Sequence, residues 1–249
     1  MARPARQLLP DHTYHITVRC NNRRFNLNRP NCREVLLFAI NSAKQKFSFR
    51  LFALCIMSNH VHYLLEPQQP EDLPRIMHWI NWYTAMCFNR MLNRTGHFWE
   101  QRYFSNAFPT SDNRRALNTL RYIHANPKAA KMRKGFVYAF GNYRTYADLS
   151  DDRLTEWHPA FLTMGQSLDE CAARYRAFCR RYIATHKSGG RQSNWGTRQF
   201  PDNNKSRYMA RSAQKQPELW QRCQVTTAFP GGFSWPGTGI SGFESLYFS

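Results

Sequence analysis

The sequence is poor in acidic residues, in long apolar stretches and in paired cysteines. Asp and Glu together number 16 in 249 residues. No uninterrupted apolar run of about 18 residues is present, which excludes a membrane-spanning helix, and the N-terminus has no apolar stretch adequate for a secretory signal. The seven cysteines are scattered and form no Cys-x-x-Cys pair, so neither a zinc ribbon nor a disulfide framework is indicated. We therefore expect a cytoplasmic protein with no membrane partner.

Basic charge and aromatic residues are abundant instead. Lys and Arg together number 35, which gives a formal net charge of +19. Hydrophobic residues make up 42% and aromatic residues 15% of the chain, enough to build a core and to exclude a purely disordered basic protein. A surface with this much positive charge attracts polyanions. A nucleic-acid enzyme and a nucleic-acid binding module are the leading classes, because no basic amphipathic N-terminal helix or lipidation motif favours a membrane surface.

The hydrophobic pattern predicts elements in the order β-α-β-β-α-β-α. Strands are expected at 13–19, 49–57, 60–66 and 98–108, and helices at 32–46, 73–92 and from 112 to about 126. The first six elements form the split β-α-β unit of ferredoxin-like folds. We predict an α+β fold with these helices on one face of the sheet. A further helix follows, capped by Ser111 or Asp112 and stopped by Pro127.

The organisation changes after the last predicted helix. We expect a first domain at 1–150 and a helical extension at 151–186, where Ser167 and Glu170 match a capping box. Residues 187–249 are rich in Gly, Ser, Asn, Gln and Arg, which predicts a basic and flexible tail.

His60 and His62 are the first candidate site residues. Residues i and i+2 of a strand point to the same face, so the two imidazoles would converge as a divalent metal ion requires. The absence of a nearby cysteine argues against structural zinc, while imidazole and oxygen ligands suit Mg²⁺ or Mn²⁺. Such a histidine pair also arises by chance, so the motif alone leaves a structural role open.

Tyr122 and Asn126 lie on the polar side of the last predicted helix, together with Arg115. A phenol, a carboxamide oxygen and an arginine on one face are what a phosphate-handling surface needs. The alternative is an ordinary surface tyrosine beside a helix-ending Asn-Pro pair. His124 lies on the apolar side of the same helix, where we expect a structural role.

Arginines alternate with aromatic residues along the first half of the chain. The planar guanidinium group suits phosphates, and aromatic rings stack on unpaired bases. The residues that we predict to contact nucleic acid are Arg19, Arg23, Arg24, Arg102 and Arg115.

Four segments together resemble one known family. They are Tyr14–Arg19, Met57–His62, Gly96–Tyr103 and Arg121–Pro127. In this order and spacing they are similar to the REP-associated tyrosine transposases, within the single-tyrosine HUH transposase superfamily of insertion-sequence type. The resemblance covers about residues 8–150, which would then be the catalytic domain. Each segment alone is modest support, and four in order are specific.

The resemblance implies a metal-dependent endonuclease and strand transferase that acts on single-stranded or hairpin DNA. His60 and His62 match the two metal ligands, and Asn126 matches the carboxamide that completes the metal site with Mg²⁺ or Mn²⁺. Tyr122 matches the nucleophile, which would form a covalent 5′-phosphotyrosine intermediate. The region of Arg19–Arg24 matches the part that reads DNA near the foot of the hairpin.

Several alternatives stay open at this point. The metal ion, Arg115 or water could activate Tyr122, and Tyr103 is the second choice of nucleophile. The same fold could bind hairpins without cleaving them. An RNA-binding ferredoxin-like domain ranks lower, because the aromatic signature of that class is missing. The sequence does not decide between a monomer and a homodimer.

Overall fold

The computed structural model describes residues 8–183, so the predicted tail at 187–249 lies outside the described residues. Its sheet consists of β1 (His12–Arg19), β2 (Phe49–Ile56), β3 (His60–Pro67) and β4 (Phe104–Pro109). The strand order is β2-β3-β1-β4, and every neighbouring pair is antiparallel. The longer helices are α1 (Pro30–Lys46), α2 (Asp72–Met91) and α3 (Asn113–Ala129). The predicted α+β fold of ferredoxin-like order is confirmed.

Strand β1 separates the two faces of the sheet. Its buried residues Tyr14, Ile16 and Val18 point to one face, and the side chains between them point to the other. Helix α3 packs against β2 and β3 on the second face, where its Leu120 shares an apolar cluster with Leu64. Helices α1 and α2 pack side by side. The first face of the sheet is also buried, although α3 does not cover it. We therefore place α1 and α2 over that face.

Helix α1 begins two residues before its predicted start. Pro30 is its first residue, a position where the missing N–H of proline leaves no hydrogen bond unmade. The buried residues Val35, Leu36, Ala39, Ile40 and Ala43 then recur with helical spacing. This apolar stripe explains why the sequence pattern located the rest of the helix correctly.

The predicted strand at 98–108 is divided in two. Trp99 forms a β-bridge with Cys20, just after β1, and the backbone N–H of Glu100 donates to the carbonyl of Arg19 at 2.7 Å. The chain then turns at Gln101, whose φ is 57°, and β4 starts only at Phe104. The alternating aromatic residues therefore belong to two pairing segments rather than to one strand.

Helix α3 begins as predicted and ends later than predicted. The side chain of Asp112 accepts a hydrogen bond from the N–H of Arg115 at 3.0 Å and so caps the helix. Pro127 does not stop α3, which continues to Ala129. The N–H that Pro127 lacks would have donated to the carbonyl of Ile123. The side-chain amide of Asn126 lies 3.5 Å from that carbonyl and compensates in part.

Three more helices cover the outer side of α3. They are α4 (Tyr143–Ala147), α5 (Pro159–Leu162) and α6 (Leu168–Arg180). The hydroxyl of Ser167 accepts from the N–H of Glu170 at 3.2 Å, the first half of the predicted capping box. Phe161 and Tyr175 are buried in one apolar cluster with Leu120 of α3 and Phe52 of β2. Residues of the extension thus complete the core above the sheet. None of the helices in residues 8–183 is both long and apolar enough to cross a membrane.

His124 connects these layers through its two ring nitrogens. Its Nε2 lies 3.0 Å from Oδ1 of Asn142, and its Nδ1 lies 2.7 Å from the hydroxyl of Tyr175. An amide oxygen only accepts, so Nε2 carries the proton and Nδ1 accepts from Tyr175. Burial lowers the pKa of His124 to about 4. His124 therefore has the structural role that we expected from the sequence.

We expect the pKa of His124 to make the fold less stable in mild acid. Its pKa is about 4 in the folded protein against 6.5 for an ordinary histidine, so the unfolded chain binds the proton first as pH falls. Between pH 6.5 and 4 this residue should remove about 3 kcal/mol of stability. Urea unfolding of wild type and His124→Gln across this range should show the steeper decline in wild type. Equal slopes would contradict the assignment.

Candidate active site

His60 and His62 lie side by side on β3, beneath the end of α3. They are 3% and 1% exposed, and their ring centroids are 4.8 Å apart. The antiparallel register places Arg19 opposite His60 and Thr17 opposite His62. The predicted convergence of the two imidazoles on one face is therefore confirmed by the geometry.

Asn59 in the β2–β3 turn fixes the proton of His60. Nδ1 of His60 lies 2.7 Å from Oδ1 of Asn59, and Nδ2 of Asn59 donates to the carbonyl of Arg23 at 3.2 Å. The second bond sets the orientation of the amide, so its oxygen accepts from Nδ1 of His60. The lone pair of His60 is then on Nε2. The basic loop after β1 is tied to this imidazole through one side chain.

Two residues of β1 contact Nδ1 of His62. Its Nδ1 lies 3.0 Å from Nε2 of His15 and 3.2 Å from the hydroxyl of Thr17. The rings of His15 and His62 are stacked, with centroids 5.2 Å apart. Nε2 of His62 is buried and makes no hydrogen bond within the described part of the chain.

All three imidazoles are neutral near pH 7. Burial, and to a lesser extent the charge of Arg19, lower the pKa of His60 to about 3. Burial is also the main cause that lowers the pKa of His62 well below its usual value, with the neighbouring histidines and Arg19 adding to it. The pKa of His15 falls to about 4 through burial. Neutral imidazole is the form that binds metal ions.

Tyr122 and Asn126 on α3 complete this cluster. The ring of Tyr122 is 46% exposed and lies edge-on to His15 and His62, with centroids 5.7 and 5.8 Å away. Nδ2 of Asn126 donates to the carbonyl of Tyr122 at 2.8 Å. A side-chain interaction with Asn126 raises the pKa of His62 against the larger effect of burial. The structure thus brings together the predicted ligands and the predicted nucleophile.

The phenol of Tyr122 is not activated by its protein neighbours. Partial burial raises its pKa above 10, and the nearby Tyr182 raises it further. The phenol is therefore protonated at neutral pH, and nucleophilic attack needs an additional source of activation.

The donor set fits a hard divalent ion. No group of three or more His, Cys, Asp or Glu among residues 8–183 is arranged to hold a metal. Two imidazoles and one carboxamide oxygen, from His60, His62 and Asn126, are the donors available at this position. The buried Nε2 of His62 makes no hydrogen bond among the described residues, which leaves this ring atom available as a ligand, so the residues present suit a metal ion.

An open groove of about 530 Å³ adjoins Tyr122 along the first half of α3. Every lining residue carries a polar or charged group, and two of them are arginines: His15, Asp112, Arg114, Arg115, Asn118, Thr119 and Tyr122. Arg115 donates to Oδ1 of Asn106 on β4 at 3.0 Å, which holds its guanidinium group over the sheet edge. The guanidinium groups of Arg114 and Arg115 give the groove positive charge, which suits phosphate groups.

The other predicted arginines lie at different distances from the cluster. Arg19 is near enough to influence both buried histidines and forms an ion pair with Glu100 at 3.9 Å. Arg23 is exposed in a short 3-10 turn and is linked to His60 only through its backbone. Arg24 and Arg102 are exposed and make no side-chain hydrogen bond or ion pair within residues 8–183. No contact places them beside Tyr122.

Three residues of the site were missed by the sequence reasoning. His15 and Thr17 contact His62, and Asn59 contacts His60. His15, Thr17 and Arg19 alternate with apolar residues along β1, so the sequence places their side chains on one face. That pattern could have identified them once β1 was paired with β3.

The family comparison agrees with this geometry. Residues 9–126 match the family model described as "Transposase IS200 like". The matched segment contains all four residues of the cluster at β3 and α3: His60, His62, Tyr122 and Asn126. The match covers a little less than half of the chain, and through this segment the protein is similar to the IS200-like transposases.

Two solved structures resemble the chain. The structure of a REP-associated tyrosine transposase bound to a REP hairpin matches with a TM-score of 0.51 and 19% identity, covering 63% of this chain and 98% of that one. At this identity the likeness establishes the fold. A proposed transposase from Deinococcus radiodurans R1 matches with a TM-score of 0.34 and 19% identity, covering 49% of this chain and 95% of that one. No curated protein sequence matches significantly.

We expect replacement of His62 to reveal that the fold does not need this residue. Its buried Nε2 has no hydrogen bond, whereas both nitrogens of His124 are bonded. His62→Leu removes a partner only from the part-buried His15 and Thr17, whereas His124→Leu leaves two buried groups unpaired, so His62→Leu should cost about 1–2 kcal/mol less. Equilibrium unfolding at pH 7.5 compares the two variants. A larger loss for His62→Leu would mean that His62 serves the fold.

Proposed function

We propose that the protein is a REP-associated type of transposase: a metal-dependent endonuclease and strand transferase that acts on single-stranded DNA at hairpins. One observation carries the proposal: a half-exposed Tyr122 lies against His62, beside an arginine-lined groove. The hairpin-bound relative of the same fold supports a hairpin as the partner. The groove suits a single strand, whose phosphates can reach Arg114 and Arg115.

The reaction follows from the chemistry of a phenol nucleophile. The oxygen of Tyr122 attacks phosphorus and forms the Tyr–O–P bond, while the bond from phosphorus to the 3′ oxygen breaks. The phenol proton is lost, and the departing 3′ oxygen gains a proton. The product is a 5′-phosphotyrosine and a free 3′-hydroxyl. Because the phosphodiester energy is kept in the covalent link, a second 3′-hydroxyl can reverse the reaction without ATP.

His60, His62 and Asn126 would hold the divalent ion, for which Mg²⁺ and Mn²⁺ are the chemically suited choices. When bound, such an ion polarises the scissile phosphate and neutralises charge on its oxygens. The chain itself contributes the positions of these donors, through Asn59 at one imidazole and β1 at the other. Arg19 adds positive charge beside the site.

Tyr122 is a better nucleophile candidate than Tyr103. Tyr103 is only 8% exposed, whereas Tyr122 is open to the groove. The raised pKa of Tyr122 indicates that its phenol loses its proton only with help from the bound strand, the ion, Arg115 or water. His15 and His62 contact the ring of Tyr122 edge-on. Neither residue is hydrogen-bonded to the phenol in the described contacts.

The first test is a covalent-adduct assay with end-labelled hairpin DNA and Mn²⁺. We expect an SDS-resistant adduct with the wild type and with Tyr103→Phe, and none with Tyr122→Phe or with a chelator. His60→Ala should reduce the adduct strongly. An adduct that persists in Tyr122→Phe would move the nucleophile elsewhere. Tight hairpin binding without any adduct would favour a binding module that has lost cleavage.

The groove predicts a specific effect of Arg115 on affinity. We expect Arg115→Gln to weaken hairpin binding uniformly across sequences and to reduce the salt dependence by about one phosphate contact. Arg174→Gln is the matched control, because Arg174 is exposed on α6 and does not line the groove. Binding isotherms at several salt concentrations provide the measurement. Equal losses in both variants would indicate that net charge alone, and not the groove, governs affinity.

A further inference from the structure

We propose that His15 is a positioning residue that fixes the tautomer and ring orientation of His62. In this role Nε2 of His15 accepts the Nδ1 proton of His62 and leaves the electron pair of His62 on Nε2, facing the site. The inference rests on the proposed metal-dependent function, since it assigns to β1 the preparation of one ligand.

The hydrogen-bond inventory of His62 favours one tautomer. A neutral imidazole carries a single proton, on either Nδ1 or Nε2. On Nε2 the proton would be a buried donor whose interaction with Asn126 falls short of hydrogen-bond geometry, because that atom makes no hydrogen bond among the described residues. On Nδ1 it meets Nε2 of His15 at 3.0 Å. The second arrangement satisfies the buried donor and exposes a lone pair where an ion would bind.

Two acceptors face Nδ1 of His62, and His15 is the better placed. The hydroxyl of Thr17 is 3.2 Å away and His15 is 3.0 Å away. The ring of His15 is also within 25° of parallel to that of His62, the arrangement that an in-plane N–H···N bond requires, so the bond restrains rotation of the His62 ring as well. Thr17 offers an acceptor alone. Both come from β1, whose pairing with β3 holds them in register.

The contact between His15 and Tyr122 does not make His15 a proton acceptor for the nucleophile. It is an edge contact with centroids 5.7 Å apart and an interplanar angle of 72°, and no hydrogen bond joins the two residues among the described contacts. His15 therefore acts through His62. Partners of this kind hold the rings of metal-binding histidines in many proteins, and their loss typically weakens metal affinity by about 10–100-fold.

The tautomer can be measured without any metal ion. In the full-length protein labelled with ¹⁵N-histidine, two-bond proton–nitrogen correlation spectra at pH 7.5 distinguish a protonated Nδ1 from a protonated Nε2. The His62 signals are identified by their loss in His62→Leu. We expect a protonated Nδ1 in the wild type. Protonated Nε2 in the wild type would overturn the proposal whatever the variants do.

Three variants separate the acceptor from the ring. His15→Phe keeps a ring and removes the acceptor, so it should shift His62 toward the other tautomer or into a mixture. His15→Gln supplies an amide oxygen as acceptor and should restore the wild-type tautomer. Thr17→Val should leave the tautomer unchanged. Unfolding curves establish that each variant is folded, and a folded His15→Phe with an unchanged tautomer would overturn the proposal.

Mn²⁺ titration of the full-length protein then tests the consequence for binding. We expect His15→Phe to weaken the affinity by about 10-fold or more, His15→Gln to recover most of it, and Thr17→Val to change it little. His60→Ala is the reference for loss of a ligand. Loss in His60→Ala but not in His15→Phe would overturn only the role of His15. No binding of Mn²⁺ by the wild type would overturn the proposed metal site and this inference together.

Discussion

Two imidazole rings are buried on the polar part of one sheet face, and the rest of the site depends on this burial. His60 and His62 are almost withdrawn from water, which keeps them uncharged and makes every unpaired ring nitrogen costly. Each Nδ1 accordingly has a partner: the β2–β3 turn supplies Asn59, and β1 supplies His15. The site depends on β3 having β1 as its neighbour, which the strand order provides.

Helix α3 meets two opposite demands on its two sides. Its apolar side carries Leu120 and His124 into a core shared with the sheet and with α5 and α6. Its other side presents Tyr122 to solvent and Asn126 to His62. The hydrogen bonds of His124 connect α3 to Tyr175 and Asn142, so the proposed nucleophile, Tyr122, lies on a helix whose rotation is restrained from its opposite side.

The sequence was sufficient for the element order and for the pairs of residues that share one local element. Strand alternation predicted the common face of His60 and His62, and helical spacing predicted the common side of Tyr122 and Asn126. Contacts between distant elements were beyond it, because the approach of His15 to His62 depends on strand register across 47 positions. The continuation of α3 past Pro127 was missed for a local reason: the side chain of Asn126 partly replaces the lost backbone bond.

The family-matched segment ends at residue 126, inside α3, whereas the cluster that covers this helix extends to Cys179. A boundary between domains normally falls where few contacts cross, and this position is the reverse case. Helices α4, α5 and α6 therefore belong to the same core as α3 and do not form a separate module. Any replacement must present an apolar ridge complementary to α3. The outer side of α3 is thus constrained by packing, even though the proposed reaction assigns no residue there to DNA.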